Sequence, residues 1–348
     1  TATDGLNGPV ALNDFDDDYQ MNQFWIYIDK KADNGGCGFA WGGHIDMTYG
    51  TDSRYGTNYG LETEINSPTN DYGLCIPQMY LEVAFNRLSI KVGHFAGILD
   101  YEAVPAPLNP FYSHSLLYTY TVPQLVTGVM AEWGVTDALT LQAGFTRGWV
   151  MFEDLNDDLD VMAGVKLVVS DMTTLKYAFT NGAQDLAGDR NRFAGTGVWE
   201  QKIGCNWKYI GVATYGYEEG TRNQPQEGEW YGLCNYVIWS LNQSLDMNFR
   251  FEALRDDAGV RVNGVGSPMG LNNPLLMPGI RGWDGYGFVG TFYEVSYGLK
   301  WMARQNIMVR PELRWDWYSG APGVNGLPYD DGESDNQFTF ATDVIVLF

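Results

Sequence analysis

The last residues of the chain, Phe338-Thr-Phe-Ala-Thr-Asp-Val-Ile-Val-Leu-Phe348, decide the fold class of the whole sequence. Aromatic or branched apolar side chains recur at nearly every second position, and polar side chains such as Thr339 and Asp343 lie between them. Because successive side chains of a β-strand point to opposite faces, this segment predicts a strand with one apolar and one polar face. Such a strand is typical of a sheet that meets hydrocarbon on one side and a packed or wet interior on the other.

The same alternation recurs through the whole chain. It predicts strands over 21–30, 39–49, 78–85, 88–95, 124–133, 139–149, 159–169, 174–179, 199–207, 210–217, 230–240, 245–254, 291–302, 307–317 and 338–348. The first and the last of these would run in the same direction and could not pair antiparallel, so we expect one further strand before Tyr19. Gly8–Leu12 is the only candidate for it. The sequence therefore predicts about 16 strands, beginning in an acidic segment at residues 1–20.

The connections between these strands alternate strictly between short and long. The short ones cover 31–36, 86–87, 134–138, 170–173, 208–209, 241–244 and 303–306. The long ones cover 50–76, 96–122, 150–158, 180–198, 218–229, 255–290 and 318–336. Transmembrane β-barrels have short periplasmic turns and long external loops, whereas β-sandwiches follow no such rule. We therefore predict an all-β fold, a transmembrane antiparallel up-and-down β-barrel that occupies residues 1–348 as a single domain.

The composition agrees with a membrane β-barrel. The chain has 42 Gly, 12 Trp, 22 Tyr and 17 Phe, which favours turns, strands and interfacial rings over helices. It has no run of about 18 apolar residues that could form a transmembrane helix, so only a closed sheet could satisfy its backbone in lipid. The net charge of −22 argues against binding to nucleic acid, whose phosphates need a basic surface.

Tryptophans lie near the ends of the predicted strands. Close to short turns are Trp133, Trp207 and Trp301, and close to long loops are Trp149, Trp199, Trp230 and Trp317. This distribution predicts two belts of rings at the headgroup level of a bilayer.

The face opposite the apolar one carries many charges. On it lie Lys91, Lys166, Lys176, Lys202, Lys300, Arg250, Arg310 and Arg314, with Asp46, Glu82, Glu132, Asp160, Glu200, Asp246, Glu252, Glu294, Glu312 and Asp316. Burying each of these charges in a dry core would cost several kcal/mol unless it were paired. We therefore expect a water-filled lumen, since a barrel of about 16 strands is too wide for side chains to fill.

The segment 96–122 is too apolar and too rich in proline for a solvated external loop. We expect it to fold into the lumen as a constriction loop; the alternative is a contact between subunits. The residues that would then line the narrowest part of the pore are Asp100, Tyr101, Glu102 and His114, together with the wall residues Lys91, Arg250, Arg310, Glu312 and Arg314.

One acidic cluster is a candidate calcium site. Asp154, Asn156, Asp158 and Asp160 present oxygen atoms at alternate positions, and Ca²⁺ takes oxygen ligands in proteins. The cluster lacks the glycine and the distal glutamate of an EF-hand loop, so a solvated acidic loop is the alternative. The sequence indicates no other cofactor.

One set of segments is more specific than alternation. It consists of Lys91-Val-Gly-His-Phe95, Tyr101-Glu-Ala-Val-Pro-Ala-Pro-Leu-Asn-Pro-Phe-Tyr-Ser-His-Ser115, Pro123 and Thr127-Gly-Val129, with Asn22-Gln-Phe-Trp-Ile-Tyr27 upstream. These segments resemble the OmpL-like β-barrel porin family, the planctomycete type of outer-membrane porin. The resemblance implies a passive or loosely selective pore in the bacterial outer membrane, and it carries no catalytic residues over to this chain.

The hypothesis that follows is a homotrimeric porin in outer-membrane lipid and lipopolysaccharide, through which small hydrophilic solutes and ions diffuse passively. Its acidic excess predicts a mild preference for cations. Two alternatives stay open: a surface barrel whose acidic loops anchor or lattice cell-envelope layer proteins, and a substrate-specific channel with a ladder of rings at Trp25, Tyr27 and Tyr80. An enzyme is not expected, because neighbouring side chains in Ser113-His114-Ser115 would point apart.

Overall fold

The computed structural model describes residues 7–15, 18–66, 71–185, 188–219, 227–262, 287–323 and 326–348. Within them the chain forms one antiparallel sheet of 16 strands. The strands are β1 (Phe24–Lys30), β2 (Phe39–Gly50), β3 (Gly73–Cys75), β4 (Met79–Phe85), β5 (Leu88–Ala96), β6 (Leu125–Gly134), β7 (Leu139–Thr146), β8 (Asp160–Ser170), β9 (Thr173–Ala183), β10 (Asn191–Ile203), β11 (Trp207–Glu218), β12 (Gly228–Asn242), β13 (Leu245–Asp256), β14 (Gly290–Arg304), β15 (Ile307–Gly320) and β16 (Asn336–Val346). Except for β3, which pairs only with β2, they follow one another around the sheet in chain order. The predicted up-and-down topology is confirmed.

The strand that brings the number to 16 is the short β3, and the prediction of a strand at Gly8–Leu12 is wrong. Pro9 has no N–H to donate to a ladder, and Gly8 and Leu12 both have positive φ, 57° and 73°. The segment instead folds back on itself, because the N–H of Asn7 donates to the carbonyl of Asp14 at 2.7 Å.

The two faces of the sheet differ as the alternation predicts. On the outer face of β16, Phe338 and Phe340 are 66% and 68% exposed. On the inner face of the neighbouring β15, Arg314 and Asp316 are fully buried. β15 and β16 pair in continuous register along the whole of β16, so one apolar surface extends across both. This surface is what a bilayer would cover.

In the described residues the two edge strands, β1 and β16, face each other without pairing, so the sheet is not closed as the predicted barrel would be. Both run in the same direction, and neither has a second strand partner in the ranges that the structure describes. A cleft of 2330 Å³ separates them, lined by residues 24–27 of β1 and 336–348 at the end of the chain. At one point Phe24 and Phe348 bridge the cleft, with their ring centroids 6.2 Å apart.

The helices are short and lie in the connections. They are α1 (Ser53–Gly56), α2 (Leu61–Ile65) and α3 (Leu116–Thr121), with 3₁₀ turns at Ala106–Leu108 and Asp330–Gly332. Of the helices in the described residues, none has the length and apolar character needed to cross a membrane. α3 begins after Ser115, whose hydroxyl accepts a hydrogen bond from the N–H of Tyr118 at 3.1 Å and so caps the helix.

Residues 97–124, which we call the inner loop, pack against the inner face of the sheet. α3 within this loop contacts β11, β12 and β13. The side chains of Phe111, Leu117 and Tyr120 are buried in one apolar cluster with wall residues such as Val212 and Leu254. Burial of large apolar side chains is favourable by about 1.5–3 kcal/mol each, which explains why this proline-rich segment turns inward.

The expectation of two tryptophan belts holds for some rings and is wrong for others. Trp133, Trp207 and Trp301 are exposed on the outer face. Trp149 and Trp230 are 1% and 0% exposed, and both rings lie about 5 Å from the guanidinium of the buried Arg261. A position near the end of a strand predicts depth in a bilayer, but it does not determine which face a ring occupies.

Candidate functional site

Acidic side chains of the wall hold the backbone of the inner loop. Glu312 on β15 accepts hydrogen bonds from the N–H groups of Tyr112 and Ser113, both 2.9 Å long. Glu252 on β13 accepts a hydrogen bond from the N–H of Leu116 at 2.8 Å, at the start of α3. The first N–H groups of a helix have no partner within the helix, so a carboxylate at this position is stabilising.

Glu102 of the inner loop is the centre of a buried polar network. It pairs with the imidazole of His114, accepts a hydrogen bond from the hydroxyl of Tyr236 at 2.7 Å, and lies 3.2 Å from the guanidinium of Arg250. Burial by itself would raise the pKa of Glu102, but the neighbouring His114 and Arg250 lower it to about 2. The carboxylate is therefore ionised, and it joins two segments of the loop to the wall.

Two wall arginines complete the network from the other side. Arg250 donates to Glu294 at 3.0 Å and to the hydroxyl of Ser113 at 2.9 Å. Arg314 donates to Asp316 at 2.8 Å and to the same hydroxyl at 2.9 Å. Each charge thus has partners of opposite charge or a polar group of the loop, which offsets the cost of removing it from water.

The expectation that the wall charges face water is wrong for this part of the wall. Arg250, Glu294 and Arg314 are fully buried, because the inner loop covers them. Alternation in the sequence identifies the face on which a charge lies but not what covers that face. Nearer the short turns the wall stays accessible, and Lys176 and Lys208 there pair with Glu200 at 2.6 and 2.8 Å.

Small residues of the wall make room for the inner loop. A Cβ atom at Gly232 of β12 would lie 2.8 Å from Cδ1 of Leu117, and one at Gly298 of β14 would lie 3.0 Å from the ring of Phe111. Just beyond Gly298 the pairing of β14 with β15 is interrupted at Pro311, which has no N–H to donate. The loop therefore packs where the wall lacks side chains and where the pairing of β14 with β15 is interrupted.

The opposite part of the lumen is open. The cleft between β1 and β16 is bounded on the inside by residues 105–108 and Tyr112 of the inner loop. Its acidic lining residues are Asp18, Asp46, Asp330 and Asp343, its one histidine is His44, and the described residues that line it include no Lys or Arg. The inner loop thus divides the lumen into a packed side, where its residues are buried against strands from β5 to β15, and an open side along β1, β2 and β16.

The predicted constriction residues fall on different sides of this division. Glu102 and His114 of the loop, and Arg250, Glu312 and Arg314 of the wall, belong to the buried network of the packed side. Whether this network sets the width of a pore stays a prediction.

The remaining predicted residues lie around the network. Tyr101 packs against Tyr236 with ring centroids 5.2 Å apart. Asp100 is half-buried with a φ of 96°, and burial together with the charge of Glu102 raises the pKa of Asp100 to about 7. Arg310 lies at the border of the two sides, because it donates both to Asp343 at 3.0 Å and to the loop carbonyl of Ala106 at 2.9 Å.

Lys91 lies on the wall away from the inner loop's anchors. Its Nζ atom is 4.3 Å from the ring centroid of Tyr80. The structure therefore does not bring Lys91 together with the arginines of β13 and β15.

Sequence reasoning missed several residues that hold the inner loop. Ser113 accepts hydrogen bonds from two arginines, and Asn248 of β13 donates to the carbonyl of Pro110 at 2.9 Å. The presence of Ser113 in the segment used for the family resemblance is the only signal for it. His44 of the open side had no signal beyond its inward parity.

The candidate calcium ligands do not converge. Asp154 accepts hydrogen bonds from the N–H of Asp157 at 2.8 Å, and Asn156 donates its amide to the carbonyl of Ala183 at 2.9 Å. Asp160 is buried and accepts hydrogen bonds from Gln184 at 2.8 and 2.9 Å. In the described ranges no group of three or more His, Cys, Asp or Glu side chains could hold a metal ion. Calcium binding stays a prediction that a titration of thermal stability would check.

An antiparallel sheet with an apolar outer face, long external connections and a loop packed inside the lumen defines a β-barrel channel. Comparison with known proteins agrees: the family model "Putative beta-barrel porin-2, OmpL-like" matches residues 1–348. The chain belongs to this family, as the resemblance in its sequence indicated. It is an outer-membrane channel for small solutes, and its place is the bacterial outer membrane.

Solved structures of outer-membrane proteins show the same fold. The outer-membrane channel DcaP of Acinetobacter baumannii has a TM-score of 0.58 at 11% identity, over 94% of this chain and 85% of that one. The trimer form of OmpT of Vibrio cholerae has a TM-score of 0.56 at 11% identity, over 93% and 91%. An anion-selective porin of Comamonas acidovorans has a TM-score of 0.59 at 8% identity, over 93% and 88%. No curated protein sequence matches this chain.

Proposed function

We propose that small hydrophilic solutes and ions cross the membrane along the open side of the lumen, with a preference for cations. The observation that carries this proposal is the lining of the cleft, which has no lysine or arginine among the described residues and four aspartates, of which Asp46 and Asp343 pair with His44 and Arg310 while Asp18 and Asp330 face the cleft. A carboxylate attracts a cation 4 Å away by about 1 kcal/mol even in bulk water, and low-dielectric walls strengthen the field.

The inner loop supports a narrowed and fixed passage. Its polar anchors are buried ion pairs and hydrogen bonds, and its apolar side chains belong to the core of the packed side. A loop held in this way is part of the wall, so solutes pass beside it.

The geometry supports a channel without a chemical step. A serine hydrolase needs a hydroxyl within hydrogen-bond reach of a histidine. The hydroxyl of Ser113 instead contacts Glu312, Arg250 and Arg314, and the Nδ1 atom of His114 contacts Glu102. The family and the fold likewise indicate a channel rather than an enzyme.

A homotrimer is the oligomeric state that we propose. Its support is the likeness to OmpT of Vibrio cholerae, which is described in a trimer form. Chemical cross-linking in detergent should give species whose masses correspond to one, two and three copies of the chain, with none larger. A product that ends at one copy would contradict the trimer and leave the channel unaffected.

The test of the proposed function is conductance in planar bilayers. In a KCl gradient the reversal potential should have the sign of a cation-selective pore. Neutral sugars of increasing size should reduce the current until they are too large to enter. An anion-selective potential would overturn the cation preference. A folded protein that never conducts would overturn the channel and favour a surface barrel that anchors an envelope layer.

A further inference from the structure

Three rings from neighbouring strands stack on the open side of the lumen. Tyr27 of β1 and His44 of β2 have ring centroids 5.9 Å apart, and His44 and Tyr80 of β4 have centroids 5.5 Å apart. The planes of both pairs are inclined by only 13°. Tyr27 and His44 line the cleft directly, so this stack borders the proposed path of solutes.

Carboxylates fix the middle ring of the stack. The Nδ1 atom of His44 lies 3.0 Å from Asp29, and its Nε2 atom lies 2.8 Å from Asp46. Asp46 in turn accepts hydrogen bonds from the indole of Trp25 at 3.0 Å and from the amide of Gln78 at 2.8 Å. These contacts at both nitrogens fix the orientation of the imidazole, which is the surface on which Tyr27 and Tyr80 stack.

One end of the stack is covered by a cation and the other end is uncovered. The ammonium group of Lys91 lies 4.3 Å from the ring centroid of Tyr80. On the far face of Tyr27 the described residues place neither a ring nor a cation, and Tyr27 is 64% exposed. The stack thus ends in an aromatic face that is open to the cleft.

We propose that this open face of Tyr27 binds organic cations, namely compact ammonium or guanidinium ions, on their way through the lumen. The face of an aromatic ring carries negative charge density and attracts a cation within about 6 Å of its centroid. Lys91 makes the same contact at the other end of the stack. The described lining has aspartates and no Lys or Arg, and its one histidine, His44, is paired with Asp29 and Asp46, whereas a neutral solute gains nothing from this charge. The inference rests on the proposed function and makes it more specific.

Block of the potassium current by tetramethylammonium tests the inference. This ion donates no hydrogen bond, so it reports on the ring face alone, and tert-butanol is its neutral counterpart. In bilayers with the wild-type protein, tetramethylammonium should reduce the KCl current in a saturable way, and tert-butanol should not. In Tyr27→Leu the half-blocking concentration should rise about two- to fivefold, the range expected for one exposed cation–π contact.

Two variants serve as controls for Tyr27→Leu. Tyr27→Phe keeps the ring face, so tetramethylammonium should block its current at the same concentration as in the wild type. Tyr215→Leu removes a tyrosine that is exposed on the outer face, and the half-blocking concentration of tetramethylammonium should again equal that of the wild type. Heat-dependent mobility in gel electrophoresis shows that each variant has folded.

The possible failures can be told apart. Equal block by tert-butanol, or unchanged block in Tyr27→Leu, would overturn the cation site while the conducting protein remains a porin. A folded protein without any conductance would overturn the proposed function. Calorimetric titration of tetramethylammonium into the detergent-solubilised protein then decides the site, and equal affinity in the wild type and Tyr27→Leu would overturn it.

Discussion

The packed side and the open side of the lumen are built from the same alternating pattern and end in opposite environments. On the packed side, Arg250 and Arg314 are buried and paired with carboxylates. On the open side, Asp18 and Asp330 line a cleft of 2330 Å³. The strands themselves do not make this difference. The inner loop makes it, because it covers the arginines of β13 and β15 with backbone N–H groups, carbonyls and Glu102. A polar inward face therefore predicts a lumen, and the connecting segment determines which part of the lumen holds water.

The largest expected effect comes from removing a charge on the packed side. Arg250→Met should destabilise the protein by about 3–5 kcal/mol, because Glu102 and Glu294 would stay buried without their partner. The inner loop should also detach, and single-channel conductance should rise. Denaturant unfolding in detergent and bilayer recording measure both. Arg255→Met, on the same strand but at a partly exposed residue that pairs with Asp257, should cost less than about 1 kcal/mol.

A smaller effect is expected from filling the space that the inner loop occupies. Gly298→Val should push the ring of Phe111 out of its place and destabilise the protein by about 1–3 kcal/mol. Gly197→Val is the matched control, because a Cβ at Gly197 of β10 would meet nothing within 4 Å. Thermal unfolding of both variants checks this, and equal melting temperatures would contradict the close packing of the loop.

The packed side should also respond to pH through Asp100. Its pKa is raised to about 7, so its contribution to stability is full below the ordinary value near 4 and is lost as pH rises through about 7. The inner loop should be held more firmly, and conductance should be smaller, at pH 5 than at pH 8. Glu102 acts in the opposite sense and in a lower window, since its pKa is lowered to about 2 and its contribution is lost only as pH falls toward that value.

The control for this pH effect is a substitution that keeps the backbone. Asp100→Asn tolerates the φ of 96° and should remove the difference in conductance between pH 5 and pH 8. Asp171→Asn, in an exposed turn, should leave the difference unchanged. A difference that persists in Asp100→Asn would show that another group titrates.

The smallest expected effect concerns the charges of the open side. Removing both Asp18 and Asp330 by substitution with Asn should lower the ratio of cation to anion permeability by up to about fivefold, the equivalent of about 1 kcal/mol. The shift of the reversal potential should shrink at high salt, where charges are screened. Asp137→Asn, whose side chain is 99% exposed at a periplasmic turn, should leave the ratio unchanged.

The strands could be predicted from the sequence because their signal is local. Alternation fixes which residues share a face, and the short and long connections fix the direction of each strand, as β15 and β16 show. The inward fold of the inner loop also had a local signal, its apolar and proline-rich composition. The strand at Gly8–Leu12 was inferred from the need for an antiparallel partner, and the local chemistry of Pro9 overrides that need.

The interior could not be predicted to the same extent, because its partners are far apart in the chain. Ser113 and Glu312 are separated by 199 residues, and the sequence around either residue does not predict their contact. The same holds for Gly298, whose missing side chain matters only because Phe111 lies against it. The open side was partly foreseen in the ring ladder of Trp25, Tyr27 and Tyr80, but His44, which joins two of these rings, was not.

The two edge strands, β1 and β16, have a consequence for biogenesis. Phe24 and Phe348 contact each other across a large separation in sequence, and a contact that closes so long a loop forms slowly. Because β1 and β16 have no second strand partner in the described ranges, the sheet carries two unpaired edges that can recruit foreign strands and aggregate. We therefore expect the yield of folded protein to depend on how well these two edges are shielded before insertion.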